Sequence, residues 1–581
     1  MTQAVRKPTT EAWQDEIDAA LSELEARKDD WARTSNAERI DILQQIKTNI
    51  MQVAKTWAKT ASANKQIPSG SPLEGEEWIS GPYAVLAACN LLIETLRGMD
   101  GKRFLKGLPI RDLPTGQIAV RVLPHTIWDY LLLSGVSAEI WMQPGVTRSN
   151  LAQNTASGYD VAPEKRKGKV SLVLGAGNIA AISPLDCFQK LLTENQVVLL
   201  KLNPVNEYLA DVLEPGLRPL IEFGALRIVK GGVDVGEYLC THPIVEEIHI
   251  TGSVASHDAI VWGTGKEGQN NKKAGTPKNK RRVTSELGAV CPTIVVPGPW
   301  SSADIKFQAE QVATQKLHNS GFNCVACQML VMPENWETTD TFIQVLEDTM
   351  ANAPDRPMYY PGASDRVSDY MSKYPEGKRI STGAHDSERV VIPFRPAPKD
   401  SYAETQEVFA PVMTQMRLPA EDAESYLRAA IAYCNDELYG TLGANIVIHP
   451  ATKRQLGAKF DELLAELRYG CIAVNAWTGV GFLAVQTSWG AFPGHSLDDV
   501  QSGIGTVHNT FMFDKPERTI VTAPWRPFPR TLLSGGLTLL PRPPWFVTNR
   551  KADIVGKLLT RFTYRPSFLK LPRIFLNALM G

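Results

Sequence analysis

The sequence predicts an α/β fold of two or three domains, built on a doubly wound parallel sheet, and three observations carry that expectation. Two short apolar runs, Val170–Leu174 and Val197–Lys201, read as strands covered on both faces. Helical stretches separate them from further strand-like runs at 228–232 and 247–253, and such alternation needs crossover connections and therefore parallel strands. A chain of 581 residues is also too long for one hydrophobic core.

Charged residues make up 21% and hydrophobic residues 43% of the chain, an ordinary balance for a soluble globular protein. The formal net charge of −1 hides an asymmetry. Residues 525–581 hold ten Lys or Arg against Asp553 alone, a local net of +9 that leaves −10 for the preceding body. Eight cysteines are scattered, and only Cys324 and Cys327 are closely paired. A zinc site would need a second pair or suitably spaced histidines, so no metal is expected, and a reducing, cytoplasmic setting is. Residues 1–7 carry charge without an apolar core behind it, which argues against a signal peptide. No uninterrupted run of 18 apolar residues suggests a membrane span.

Along the chain, residues 10–97 read as helices, because Ile17, Ala20, Leu21 and Leu24, then Ile42, Leu43, Ile46 and Ile50, recur at three- and four-residue steps. From Gly116 the pattern turns to strands at 118–123 and 138–142, followed by the turn Gln143, Pro144, Gly145. Residues 263–283, with seven Lys or Arg against Glu267 and many Asn, Gly and Pro, read as an exposed loop. A second alternating series follows from Thr293 to about Val485.

The chemistry centres on Cys324, in the stretch 320–328 between a helical segment and the strand-like 329–331. A cysteine on a glycine-hinged turn at that junction can be both exposed to a substrate and fixed in direction. Upstream stands Thr284, Ser285, Glu286, Leu287, Gly288, and downstream Gln406, Glu407, Val408, Phe409, Ala410, Pro411. Asn178 and Lys201 lie 23 positions apart, each following a predicted strand or ending one. Together these elements resemble the aldehyde dehydrogenase superfamily, whose signatures are E-L-G-G, G-Q-x-C, E-x-F-G-P and an early N-x-P. Ala289, Phe322, Ala410 and Ala180 depart from the usual family residues.

The resemblance implies a Rossmann-like cofactor domain, an α/β catalytic domain and a small β oligomerisation element. It divides the chain into 1–115 (helical part of the cofactor domain), 116–165 (oligomerisation hairpin), 166–288 (Rossmann-like domain), 289–485 (catalytic domain), 486–524 (return segment and oligomerisation strand) and 525–581 (basic, aromatic extension). It further implies NAD(P)-dependent oxidation of an aldehyde to a carboxylic acid. Cys324 would be the nucleophile, Asn178 an oxyanion donor and Glu286 the general base for thioester hydrolysis. Lys201, Gly252, Ser253, Glu407 and Phe409 would bind NAD or NADP. His257 replaces the last glycine of the family's phosphate turn, and Pro204 stands where NAD-preferring relatives often carry a glutamate, so NADP should be tolerated.

Two alternatives stay open: a coenzyme A-dependent acylating enzyme or acyl reductase, which typically lacks the glutamate base, and a degenerate non-catalytic scaffold. The implied partners are a small aldehyde and further copies of the chain, with no nucleic acid. For the extension, contact with an anionic bilayer and packing over the acidic body or a neighbouring subunit stand as equal readings. Its aromatic, basic composition hints at long, membrane-partitioning aldehydes.

Overall fold

The computed structural model describes residues 12–380, 388–394, 401–533 and 537–581. Residues 1–7, read above for targeting, lie outside them. Two sheets organise the chain. The first has six strands in the order Gly503–Ile504, Arg282–Leu287, Glu247–Gly252, Val170–Leu174, Val197–Lys201, Leu226–Val229, all parallel except the first. The strand order reverses at Val170–Leu174, whose neighbours on either side come later in the chain. The crevice beyond its carboxyl end is where such a sheet binds ligands.

The second sheet has eleven strands and contains more than the expected catalytic domain. Its centre is the parallel set Cys471–Val474, Gly443–Val447, Cys291–Val295, Cys327–Pro333, Val412–Leu418 and Val390–Ile392. Pro516–Thr522 runs parallel to Cys471–Val474 and antiparallel to Ser137–Met142, which pairs with Ile118–Leu123. The hairpin region therefore does not stand apart from the catalytic domain. It continues that sheet in the same chain, and Ile520 is paired with Ile472 on one side and Glu139 on the other. Segment 486–524 likewise reaches back to the first sheet, where Gly503 pairs with Glu286.

The helical N-terminal part forms as its periodicity requires. Ala12–Arg33 and Asn36–Asn64 bury Ile17, Leu21, Leu24, Leu43, Ile46 and Ile50. The second helix starts on a reciprocal Ser35–Glu38 cap. The helical stretch Glu74–Arg97 is long and apolar enough to cross a membrane by composition, yet 72% of its most apolar window is buried inside the fold.

Residues 263–283 correct the expected loop: Gly265–Ala274 is a helix. Its polarity misled because a one-sided apolar face was missing. What supports the helix is Glu267 in the first turn, Lys272 and Lys273 in the last, a 2.8 Å pair from Lys272 to Asp258 and a 2.8 Å bond from Asn271 to the Trp262 carbonyl.

The extension packs on the body. Trp525 and Arg526 both bond Asp304, at 2.9 Å and 2.6 Å, and Arg542 reaches Glu310 at 3.3 Å. Helix Ala552–Tyr564 lies along the stretch Glu74–Arg97, with Gly556 against Trp78 and Asn90 donating to the Thr563 carbonyl at 2.9 Å.

Candidate active site

Cys324 sits where the helix Ser302–Leu317 breaks before the strand Cys327–Pro333. Three successive residues, Asn319, Ser320 and Gly321, have positive φ, at 52°, 57° and 81°. Only glycine adopts this region without cost, so the two non-glycine residues must be held in place by tertiary contacts. Those contacts come from far along the chain on both sides. Asn319 receives hydrogen bonds from Lys65 at 3.1 Å and Tyr359 at 3.0 Å, and its backbone N–H donates to Glu76 at 3.0 Å. Burial alone would raise the Glu76 carboxyl, but the Arg356 guanidinium prevails and holds it down to about 2. A buried Lys65–Glu77 pair at 2.7 Å completes this polar footing.

The Cys324 thiol donates to Glu286 Oε1 at 3.2 Å. Burial raises the Glu286 carboxyl to about 7, and the charge of Asp186 adds to the shift. Burial also pushes the Cys324 thiol well above its usual value, and the neighbouring Glu286 reinforces this. The resting pair is thus a thiol facing a carboxylate that titrates near neutrality, the arrangement in which the carboxylate can take the proton. Glu286 Oε2 has no hydrogen-bond partner, so one lone-pair face remains for a water.

Asn178 follows the strand Val170–Leu174, as expected, and lies beside Cys324. Its amide already donates one hydrogen bond, to the Phe322 carbonyl at 2.9 Å, while its own carbonyl accepts from Asn319 and Tyr359, both at 3.2 Å. A second N–H stays available on the same nitrogen. Among the described residues, no acceptor takes the Cys324 backbone N–H.

A cavity of about 340 Å³ opens at the crevice of the first sheet and reaches Cys324. Gly252, Ser253, Glu407 and Phe409 line it with Gly177 and Asn203. Of the five residues expected to bind a dinucleotide, only Lys201 is missing from this lining. It stands at the end of its strand, where its carbonyl takes the Gly175 N–H at 3.0 Å.

The residues fit a ribose and a pyrophosphate. Glu407 is half-buried, with its Oε1 atom buried and unpartnered, as an acceptor awaiting hydroxyls would be, and a Cβ at Gly288 would overlap its carboxylate. Burial raises Glu407 to about 8, against the pull of Lys316, whose own buried ammonium is pushed down to about 8. Gly252 and Ser253 open the helix Val254–Trp262, with Ser253 as its cap. His257 is fully buried in that helix and does not line the cavity.

Sequence reasoning missed several groups. Arg366 donates to the carbonyls of Val408 and Phe409 at 2.9 Å and 3.1 Å, which fixes the Glu407 loop. Tyr360 packs 5.0 Å from Phe409 and 5.5 Å from Phe322, forming an aromatic wall of the cavity. Phe322, an odd residue in its motif, is explained by this cluster. A paired Tyr359, Tyr360 was the one available signal.

Residues 210–490 match the Aldehyde dehydrogenase family. The mitochondrial succinate-semialdehyde dehydrogenase of Arabidopsis thaliana is 27% identical over 280 residues, covering 45% of this chain and 46% of that protein. The 1-pyrroline-5-carboxylate dehydrogenase 2 of Bacillus subtilis (strain 168) is 26% identical over 272 residues, covering 44% and 49%. The chain thus aligns with about half the length of these curated relatives.

Among solved structures, the Mycobacterium tuberculosis aldehyde dehydrogenase complexed with NAD+ superposes with a TM-score of 0.59 at 16% identity, over 87% of this chain and 89% of that one. The gamma-glutamyl-gamma-aminobutyraldehyde dehydrogenase of Burkholderia cenocepacia J2315 gives 0.58 at 18% identity, over 87% and 88%. These two establish the fold. The family match spans the Glu286, Cys324 and Glu407 motifs, and over residues 210–490 the chain is similar to the aldehyde dehydrogenase family.

Proposed function

We propose that the chain oxidises an aldehyde to a carboxylic acid with NAD or NADP, through intermediates covalently bound to Cys324. The observation that carries this is the 3.2 Å contact between the Cys324 thiol and Glu286, at the end of a cavity suited to a dinucleotide. Glu286 takes the thiol proton, and the sulfur adds to the carbonyl carbon. The oxyanion that forms is met by the free Asn178 N–H and the Cys324 backbone N–H, donors that strengthen as charge develops. A bound nicotinamide supplies the acceptor for the hydride that leaves this carbon, which becomes a thioester. Glu286, relieved of its proton, deprotonates a water that attacks the thioester, and the thiolate leaves. The sum is aldehyde, oxidised cofactor and water giving acid, reduced cofactor and one proton.

A base buried beside the nucleophile favours water over coenzyme A as the acyl acceptor, and the intact Cys324, Glu286 and Glu407 weigh against a non-catalytic scaffold. The decisive experiment measures reduced-cofactor formation from simple aldehydes with each of NAD and NADP, with and without coenzyme A. Turnover that requires coenzyme A would replace this reading with the acylating one.

We also read the extension as a peripheral membrane contact. Phe568 and Leu569 are 62% and 91% exposed, Leu576, Leu579 and Met580 are exposed nearby, and Arg565 and Arg573 are exposed on the same segment without an ion pair among the described residues. The reducing, cytoplasmic setting is supported by eight unpaired thiols. A homo-oligomer would not form by strand addition at Pro516–Thr522, which has neighbours on both sides; the short Ile110–Asp112 is an open edge of that sheet.

A further inference from the structure

On the side of Cys324 away from the proposed dinucleotide cavity lies a second, small cavity of about 40 Å³, walled by Ile79, Ile179, Trp477 and Phe482 as well as Cys324 itself. Ile79 and Leu483 form part of its wall and also part of the wall of a larger chamber of about 290 Å³. The outer wall of that chamber is made by the extension: Leu540, Trp545, Leu559 and Phe562. The opposite wall is the apolar stretch Glu74–Arg97 and the short helix Ile127–Leu132.

Charge marks this chamber as sharply as apolarity does. Its acidic lining is Glu94, paired at 2.6 Å with His125, and Asp129, and among the described residues no Lys, Arg or His lines it. A substrate carrying its own carboxylate would meet Asp129 and a Glu94 already paired with His125, and no cation in the lining to neutralise it. Toward the surface, Trp128 contacts Phe562 at 5.3 Å and the exposed Phe568 at 4.6 Å, so the wall of the chamber merges into the apolar outer face of the extension.

We infer that the extension completes an acyl-chain channel to Cys324, and that the substrate is an uncharged, medium- to long-chain alkyl aldehyde rather than a carboxylated semialdehyde. This rests on the dehydrogenase reading above. The reacting carbonyl sits in the small inner cavity, where Cys324 and Asn178 are both present, and the alkyl chain passes Ile79 and Leu483 into the chamber. Because the wall residues are non-directional apolar groups, they select for length and lack of charge, not for a particular functional group.

The test uses the full-length protein and unbranched aldehydes from propanal to dodecanal, with succinic semialdehyde beside them. The expected kcat/KM rises about fourfold per added methylene until the channel is full, and succinic semialdehyde falls below butanal. Leu559→Trp, which fills the chamber, should cut kcat/KM for dodecanal at least tenfold more than for propanal. In parallel, a dansyl-labelled fatty acid should bind and be displaced by dodecanoate, not by succinate, with affinity weakened in Leu559→Trp.

A flat length profile together with undiminished probe binding in the variant would overturn the channel. If no aldehyde, propanal included, reduces either cofactor, the dehydrogenase reading fails. The probe measurement then still decides whether the chamber takes an alkyl chain. Should Leu559→Trp not fold, Leu559→Ala serves instead: it enlarges the chamber and should move the optimum to longer chains, and an unmoved optimum counts against the channel.

Discussion

The two sides of Cys324 are built in opposite ways. On the dinucleotide side polar groups are set among apolar ones and come from short motifs in turns and loops flanking strands: Gly177 and Asn178, Gly252 and Ser253, and Glu407. On the other side it is apolar and assembled from segments hundreds of positions apart, such as Ile79, Leu483 and Leu559. The comparison teaches that groups needing a fixed direction are held in turns flanking strands, whose backbone geometry restricts the residues that fit. A surface that only has to exclude water and match a chain can be supplied by any apolar element that packs there.

Substitutions can break or sharpen this contrast. The largest effect belongs to the group common to both sides. Cys324→Ser should lower aldehyde-dependent cofactor reduction by about 10³-fold or more, since a hydroxyl is a far weaker nucleophile at neutral pH. Stopped-flow kinetics should then show no burst of reduced cofactor. Ordinary turnover by this variant would remove the covalent route altogether.

Glu286→Gln should preserve hydride transfer better than hydrolysis, so a burst precedes a steady rate slowed by about 10²-fold or more. The wild-type rate should climb with pH through about 7, where the raised carboxyl becomes a base, and the variant should lose that limb. Stability should move the other way. A buried carboxyl raised from 4.5 to about 7 holds its proton more tightly when folded, so its contribution favours the fold most below pH 4.5 and fades as pH rises through 7. At pH 8 the variant should therefore be more stable in denaturant melts, by up to about 3 kcal/mol.

Asn178→Ala should cost about 10²-fold in kcat with a small change in KM for aldehyde, as expected for a donor that acts on developing charge. Glu407→Gln should act mainly on the dinucleotide side, raising the KM for cofactor about tenfold, the loss expected when one buried hydrogen-bonding partner is weakened. If instead it lowered aldehyde affinity alone, the division of the site into two faces would be wrong. The smallest effect is expected at the surface. Leu569→Asp should weaken flotation with anionic vesicles several-fold, and equal flotation would remove the bilayer role of the extension.

The parts legible in the sequence were those with a local signature. Strands such as Val170–Leu174 announce themselves by unbroken apolarity, and Cys324, Glu286 and Glu407 by their neighbours. The helix Gly265–Ala274 was hidden because its stability comes from end charges and two ion pairs, Lys272 with Asp258 and Glu267 with Lys278, instead of an apolar face. The polar footing of the nucleophile turn was hidden for another reason. Glu76, Lys65 and Arg356 are ordinary charged residues until folding buries them against Asn319. The placement of Lys201 outside the cavity lining shows the limit of a spacing argument, which fixes position along a strand but not side-chain reach.

Residue order alone was enough to place the alternating strands and the motifs that hold Cys324, Glu286 and Glu407, because each depends on neighbours within a few positions. Tertiary packing decided that the hairpin at Ile118–Met142 joins the catalytic sheet in its own chain and that the extension walls a chamber sharing Ile79 and Leu483 with the small cavity at Cys324. Those outcomes turn on which apolar surfaces meet across hundreds of residues, and hydrophobic contact carries no address that can be read from one segment without its partner.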